Sequence, residues 1–172
     1  MALARLLVIR RKTVNSNITH NIKHRQYAND EFMTPLELAK SLSLLLPNLE
    51  GKLIIEPCPG QGAFIQTVPG IIGLNQDFYT FNLPVNWIIT NPPYSDLNHW
   101  LKHSFELATD GVALLVGLLN ITPKRMELAN SHNFGLTQIH LCKVFHWFGI
   151  SAFCIWERGK SDIVSYDRVV WR

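Results

Sequence analysis

The chain has 172 residues, 47% of them hydrophobic and 17% charged, with a formal net charge of +3. This composition excludes a disordered chain and fits one domain with a sizeable core. No apolar run approaches the roughly 20 residues that span a bilayer, and the three cysteines, Cys58, Cys142 and Cys154, have neither metal-ligand nor disulfide-framework spacing.

The opening stretch, MALARLLVIRRK, places its basic cluster after a short apolar run, the reverse of a secretory signal, so an intracellular, cytoplasmic protein is expected. Residues 1–28 carry Arg5, Arg10, Arg11, Lys12, Lys23 and Arg25, and no acidic residue precedes Asp30. They read as a basic polar arm. Either it lies along phosphates or its charges are simply solvated, and a transit peptide would share the composition. Residues 29–172 are expected to form a single domain.

Thr34 is expected to cap a helix with Pro35 in its first turn, and Leu36, Leu38, Ala39, Leu42 and Leu45 supply its apolar face. Pro47 stops it. Lys52 to Glu56 reads as a buried strand, Ile71 to Leu74 as a second, and Asn86 to Thr90 as a third. A helix is predicted over Leu97 to Ala108, with Leu97, Trp100, Leu101, Phe105 and Ala108 on one face. Gly111 opens the run VALLVGLL, a central strand. Thr122 caps a helix over Pro123 to Asn130. Leu136 to Cys142 and Ala152 to Trp156 read as strands forming an antiparallel hairpin at one edge. Strands alternating with helices predict a doubly wound α/β sheet, mostly parallel with an antiparallel C-terminal edge, in which ligands sit beyond the strands' carboxyl ends. The pairs His20/His24 and His99/His103 have helical spacing but no matching Glu or Cys ligands. They are expected on exposed polar faces, with no metal.

Two loops at predicted strand ends carry chemistry. In Glu56-Pro57-Cys58-Pro59-Gly60-Gln61-Gly62-Ala63-Phe64, the glycines allow a sharp turn and a close ligand approach, and Glu56 can accept from an ammonium or a hydroxyl. It is not the full dinucleotide fingerprint, because position 65 is Ile. In Asn91-Pro92-Pro93-Tyr94, two prolines stiffen the turn. The Asn91 amide oxygen and the Pro92 carbonyl can then accept both hydrogens of one amino group, drawing its lone pair out of conjugation, and Tyr94 offers a face for a flipped base.

Taken together, these motifs resemble the amino-methyltransferases, in particular the N6-adenine DNA methyltransferases. Glu56 to Phe64 resembles that family's cofactor motif, Asn91 to Tyr94 its catalytic tetrapeptide, and Phe32-Met33-Thr34-Pro35 its aromatic-x-Thr-Pro segment. The likeness spans about residues 29–159. It implies a Rossmann-like sheet binding S-adenosylmethionine through Phe32, Thr34 and Pro35, through Glu56, Pro57, Gly60, Gly62 and Phe64, through Asp77 and Phe78, and through Asn91. Asp77 lies 21 residues after Glu56, where it could bond the cofactor's adenine or ribose. It implies a catalytic Asn91-Pro92-Pro93-Tyr94, with Phe145 or Phe148 on the other side of a flipped adenine. The same tetrapeptide serves methyltransferases of RNA bases and of a glutamine amide in peptide release factors, and a non-catalytic binding module of this shape is a further alternative.

Two departures from the family set expectations. Only 35 positions separate Glu56 from Asn91, so a compact sheet is predicted, and no acidic residue directly follows Ile71-Ile72-Gly73 to hold a ribose. No target-recognition domain is expected within 29–172, so DNA specificity would be slight, or would come from the arm, a homo-oligomer or a partner.

Overall fold

The computed structural model describes residues 32–144, 147 and 149–165. The arm of residues 1–28, Phe145 and Phe148 lie outside the described residues.

Among the described residues four α-helices and six strands follow one another: α1 (Leu36–Ser43), β1 (Ile54–Glu56), α2 (Ala63–Thr67), β2 (Ile71–Gly73), β3 (Val85–Thr90), α3 (Leu97–Leu107), β4 (Ala108–Gly117), α4 (Pro123–Ser131), β5 (Phe134–Cys142) and β6 (Ser151–Arg158). The strands form one sheet in the order β2-β1-β3-β4-β6-β5. β1 to β4 run parallel, while β6 is antiparallel to both β4 and β5. The predicted mostly parallel sheet with an antiparallel C-terminal edge is therefore present. Within the hairpin the later strand is the inner one.

Side chains alternate along a strand, so the sheet has two apolar faces. Ile88 of β3, and Val85 beyond an irregularity in the register before Trp87, point to a face covered by Trp100, Leu101 and Phe105 of α3 and by Met126 and Ala129 of α4. Trp87 and Ile89 point to the other face, covered by Ala39 and Leu42 of α1 and by Ala63 and Phe64 of α2. Residues Val112 to Val116 of β4 are buried throughout, as a strand covered on both faces requires. Each such aliphatic side chain contributes about 1.5–3 kcal/mol on leaving water.

Several boundaries differ from expectation. Thr34 does not cap α1: Pro35 occupies the N-cap position, at φ −61° and ψ 139°, without a side-chain cap. β1 starts at Ile54, because the Leu53 carbonyl accepts from both the Asn86 and Trp87 N–H groups and breaks the regular ladder. β4 starts at Ala108, directly after α3. The polar residues there have partners: Asp110 receives Lys52 Nζ at 2.7 Å and Asn86 Nδ2 at 3.2 Å. β5 starts at Phe134, after Asn133 turns the chain with a left-handed φ of 63°. His103 is not on an exposed polar face. Its Nε2 lies 3.1 Å from the Phe78 carbonyl and 3.0 Å from that of Phe81, and since carbonyls only accept, this nitrogen carries the proton. His99 is exposed and pairs with Asp96.

Between β2 and β3 the described chain makes a single 3-10 turn, Phe78–Thr80, and no further strand. β2 is thus an edge strand, and the sheet is as compact as the spacing predicts.

Candidate functional site

β1 and β3 are adjacent and parallel, so Glu56 and Asn91 emerge side by side at the carboxyl end of the sheet. After Glu56 the chain turns tightly. Gly62 N–H bonds the Pro59 carbonyl at 2.6 Å, and Gly60 and Gly62 take left-handed φ values of 51° and 75°. Most side chains are strained at such angles, which accounts for both glycines. A Cβ on Gly60 would also come within 3.1 Å of Met33 Sδ.

Glu56 is 2% exposed, and its Oε2 has no hydrogen-bond partner. Burial raises its carboxyl from 4.5 to about 8, against a smaller lowering by a hydrogen bond from the Ile65 backbone. The carboxyl borders a cavity of about 210 Å³, which Phe32, Met33, Thr34, Gly60, Asn91 and Pro93 also line. A buried acceptor without a donor, beside a glycine turn with no Cβ in the way, fits a small ligand that brings an ammonium or hydroxyl group. Larger hollows flank α1, of about 470 and 560 Å³. None of the three unpartnered buried side-chain atoms found among the described residues lines either of them.

Asn91 is held from two sides. Its Nδ2 donates to the Phe32 carbonyl at 2.7 Å and to Thr34 Oγ1 at 3.2 Å, and its Oδ1 accepts from the Tyr94 hydroxyl at 3.1 Å. The Phe32 carbonyl can only accept, so the amide nitrogen must face it, and this fixes the direction of Oδ1. The Phe32 ring lies 5.9 Å from Tyr94, tilted, and 5.6 Å from Trp147, edge-on. Phe32, whose carbonyl holds Asn91, thus packs its ring between those of Tyr94 and Trp147.

The structure thus brings together Phe32, Thr34, Glu56, Gly60, Asn91, Pro93 and Tyr94 from the residues singled out in the sequence. Pro57 and Pro92 are buried in the backbone of the two loops, Gly62 starts α2, and Pro35 is exposed at the start of α1. Phe64 and Phe78 send their rings into the core. Phe64 stacks on Phe153 at 6.1 Å, and Phe78 packs on Trp100 at 4.5 Å. The exposed Asp77 accepts from the Tyr79 N–H and caps the 3-10 turn. Phe145 and Phe148 lie outside the described residues.

The motifs left six residues without an expected role: Met33, Cys58, Pro59, Gln61 and Ala63 in the cavity wall and Trp147 beside Phe32. The signal for the first five was their place inside the motifs. Trp147 lies in the aromatic run from which only phenylalanines were chosen.

No protein-family model and no curated protein matches this sequence. Solved structures do. The magnesium protoporphyrin IX methyltransferase of Synechocystis, with bound SAM, aligns with a TM-score of 0.59 at 13% identity, over 72% of this chain and 79% of that one. A precorrin-6y C5,15-methyltransferase from Geobacter metallireducens aligns at 0.56 and 8% identity, over 74% and 91%. The M protein of the type I restriction enzyme EcoKI aligns at 0.59 and 13% identity, over 83% of this chain but 47% of that one. At these identities the likeness establishes the fold, the Rossmann-like sheet of S-adenosylmethionine-dependent methyltransferases.

Proposed function

We propose that this chain is a methyltransferase using S-adenosylmethionine, and that it methylates the exocyclic N6 of adenine in DNA after the base flips out of the duplex. The observation that carries the reading is the placement of Asn91-Pro92-Pro93-Tyr94 at the end of β3, beside the unpartnered Oε2 of Glu56 and the glycine turn after β1. The fold shared with known methyltransferases supports it.

When bound, S-adenosylmethionine supplies a methyl group carried on a sulfonium. Glu56 receives the ligand's ammonium or hydroxyl, which satisfies Oε2 and draws the carboxyl back to its ionised form. Gly60 and Gly62 keep side chains out of the approach, and Met33 and the Phe32 backbone wall the cavity. Asn91 Oδ1 and the Pro92 carbonyl accept the two hydrogens of the target amine. With both hydrogens held, the nitrogen lone pair leaves conjugation with the ring and becomes the nucleophile. Positioning carries the acceleration, as two oriented acceptors allow. Tyr94 stacks on the flipped base, and Phe145 or Phe148 closes its other side. Residues 29–172 form the catalytic domain, and the arm of residues 1–28 contacts phosphates. Site selection comes from that arm, from a second copy or from a partner.

The test is methyl transfer from labelled S-adenosylmethionine to unmethylated DNA, with RNA in parallel, reading N6-methyladenine directly. Transfer to DNA that disappears in Asn91→Ala, while donor binding persists, is the expected result. Transfer to RNA alone would replace the substrate. No transfer to either, with no donor binding, would overturn the reading in favour of a non-catalytic module.

A further inference from the structure

We propose that the Thr34 hydroxyl is a positioning group for Asn91, working with the Phe32 carbonyl, rather than a ligand of the methyl donor. The proposal rests on reading Asn91 as the acceptor of the target amine.

A carboxamide can turn over about its last torsion with almost no change of shape, yet only one of its ends accepts. Turned over, Asn91 would aim two N–H donors at an amine that is itself a donor, and the site would repel its substrate. The described residues contain a lock against this. Both amide hydrogens are engaged, one by Phe32 O at 2.7 Å and one by Thr34 Oγ1 at 3.2 Å. A reversed amide would set Oδ1 against the Phe32 carbonyl, acceptor on acceptor. The Tyr94 hydroxyl at 3.1 Å then bonds Oδ1 from the opposite side.

The local chain explains why Thr34 serves here. A threonine before Pro and a helix looks like a helix cap, but α1 has its N-cap at Pro35, which carries no side-chain donor or acceptor. Thr34 is one residue too early to cap. The proline after it keeps Thr34 extended, and its hydroxyl reaches across to Asn91, 57 residues later in sequence. Phe32 adds to the lock through its ring, which touches Tyr94 as its carbonyl holds Asn91.

The test has two arms. In the first, the side-chain amide signals of Asn91 are followed by ¹⁵N–¹H NMR of the ligand-free protein and assigned by their loss in Asn91→Asp. Thr34→Val, and separately Thr34→Ala, should move one of the two amide protons and leave the other near its place, whereas Thr34→Ser should restore both. Unmoved signals in both variants would overturn the proposal. In the second arm, Thr34→Val should lower kcat by roughly ten- to a hundredfold, with donor Kd unchanged and Thr34→Ser largely restoring the rate. A weakened donor Kd with kcat intact would overturn it, because Thr34 would then be a donor ligand. The NMR arm needs no turnover. A wild-type protein that shows the amide shift but transfers no methyl group would keep the lock and discard the methyltransferase reading.

Discussion

Glu56→Gln removes a buried charge while keeping the side chain's shape, so its effect on stability should depend on pH. Burial raises the Glu56 carboxyl from 4.5 to about 8 in the folded chain. The unfolded chain ionises it at the ordinary value. The folded state thus pays nothing for this group below about pH 4.5, progressively more as the pH climbs to about 8, and a constant amount above that. Each pK unit corresponds to about 1.4 kcal/mol, so ionised Glu56 costs at most roughly 5 kcal/mol. That is a large share of the roughly 5–15 kcal/mol by which a domain of this kind is stable. Urea unfolding of both proteins at about pH 5 and about pH 9 measures it. All other titrating groups cancel in the comparison between the two. The Gln variant should gain several kcal/mol over wild type at the higher pH and little at the lower. Equal differences at both would mean that Glu56 ionises as if solvated, and the buried, unpartnered acceptor would lose its basis. Donor binding gives an independent reading. An ammonium beside Glu56 lets it ionise, so complex formation near neutrality should release close to one proton from wild type and none from Glu56→Gln. Calorimetry in buffers of different ionisation enthalpy detects the difference.

Three further outcomes are expected. Gly60→Val forces a β-branched residue to a positive φ and brings its Cβ against Met33 Sδ, so donor affinity should fall by more than about tenfold while the far-ultraviolet circular dichroism stays that of wild type. Gly111→Ala places a methyl into the Trp87 indole and should destabilise the fold by about 1–3 kcal/mol in denaturant unfolding, an effect that Trp87→Leu in the same chain should relieve. Cys58 is exposed at the cavity, whereas burial raises the Cys142 thiol and pushes that of Cys154 up to about 12. N-ethylmaleimide should therefore modify Cys58 first, as peptide mass mapping would show, and saturating S-adenosylmethionine or its demethylated product should slow that reaction.

The parts legible in the sequence were those specified locally. Val85–Thr90 and Leu97–Leu107 follow from short-range hydrophobic patterns, and the tetrapeptide after β3 carries its own rigidity in two prolines. What escaped depended on pairing between distant residues. Thr109 and Asp110 look like a loop until Lys52 and Asn86 are seen to hold Asp110 within β4. Phe64 and Phe78 sit inside motifs that point to a ligand, yet strand packing turns their rings to the core. Thr34 carried a correct local signal, a threonine before a helix, while its hydroxyl answers to a residue far along the chain. Residue type announces a capability, but only the register of the sheet decides which way it faces.

The position of β6 bears on how the chain can be made. β6 is the last strand among the described residues, yet it lies inside the sheet, pairing with β4 from Gly111↔Glu157 to Gly117↔Ser151 and with β5 on its other side. During synthesis from the amino end, β4 must therefore wait with one edge unsatisfied, and β5 emerges with no strand to dock on. Such an edge invites pairing with other chains, and this closing step joins segments far apart in sequence, which is slow. The nascent polypeptide consequently stays aggregation-prone until residue 158 has left the ribosome, so its yield in cells should be governed by chaperone capacity during that interval rather than by the stability of the finished fold.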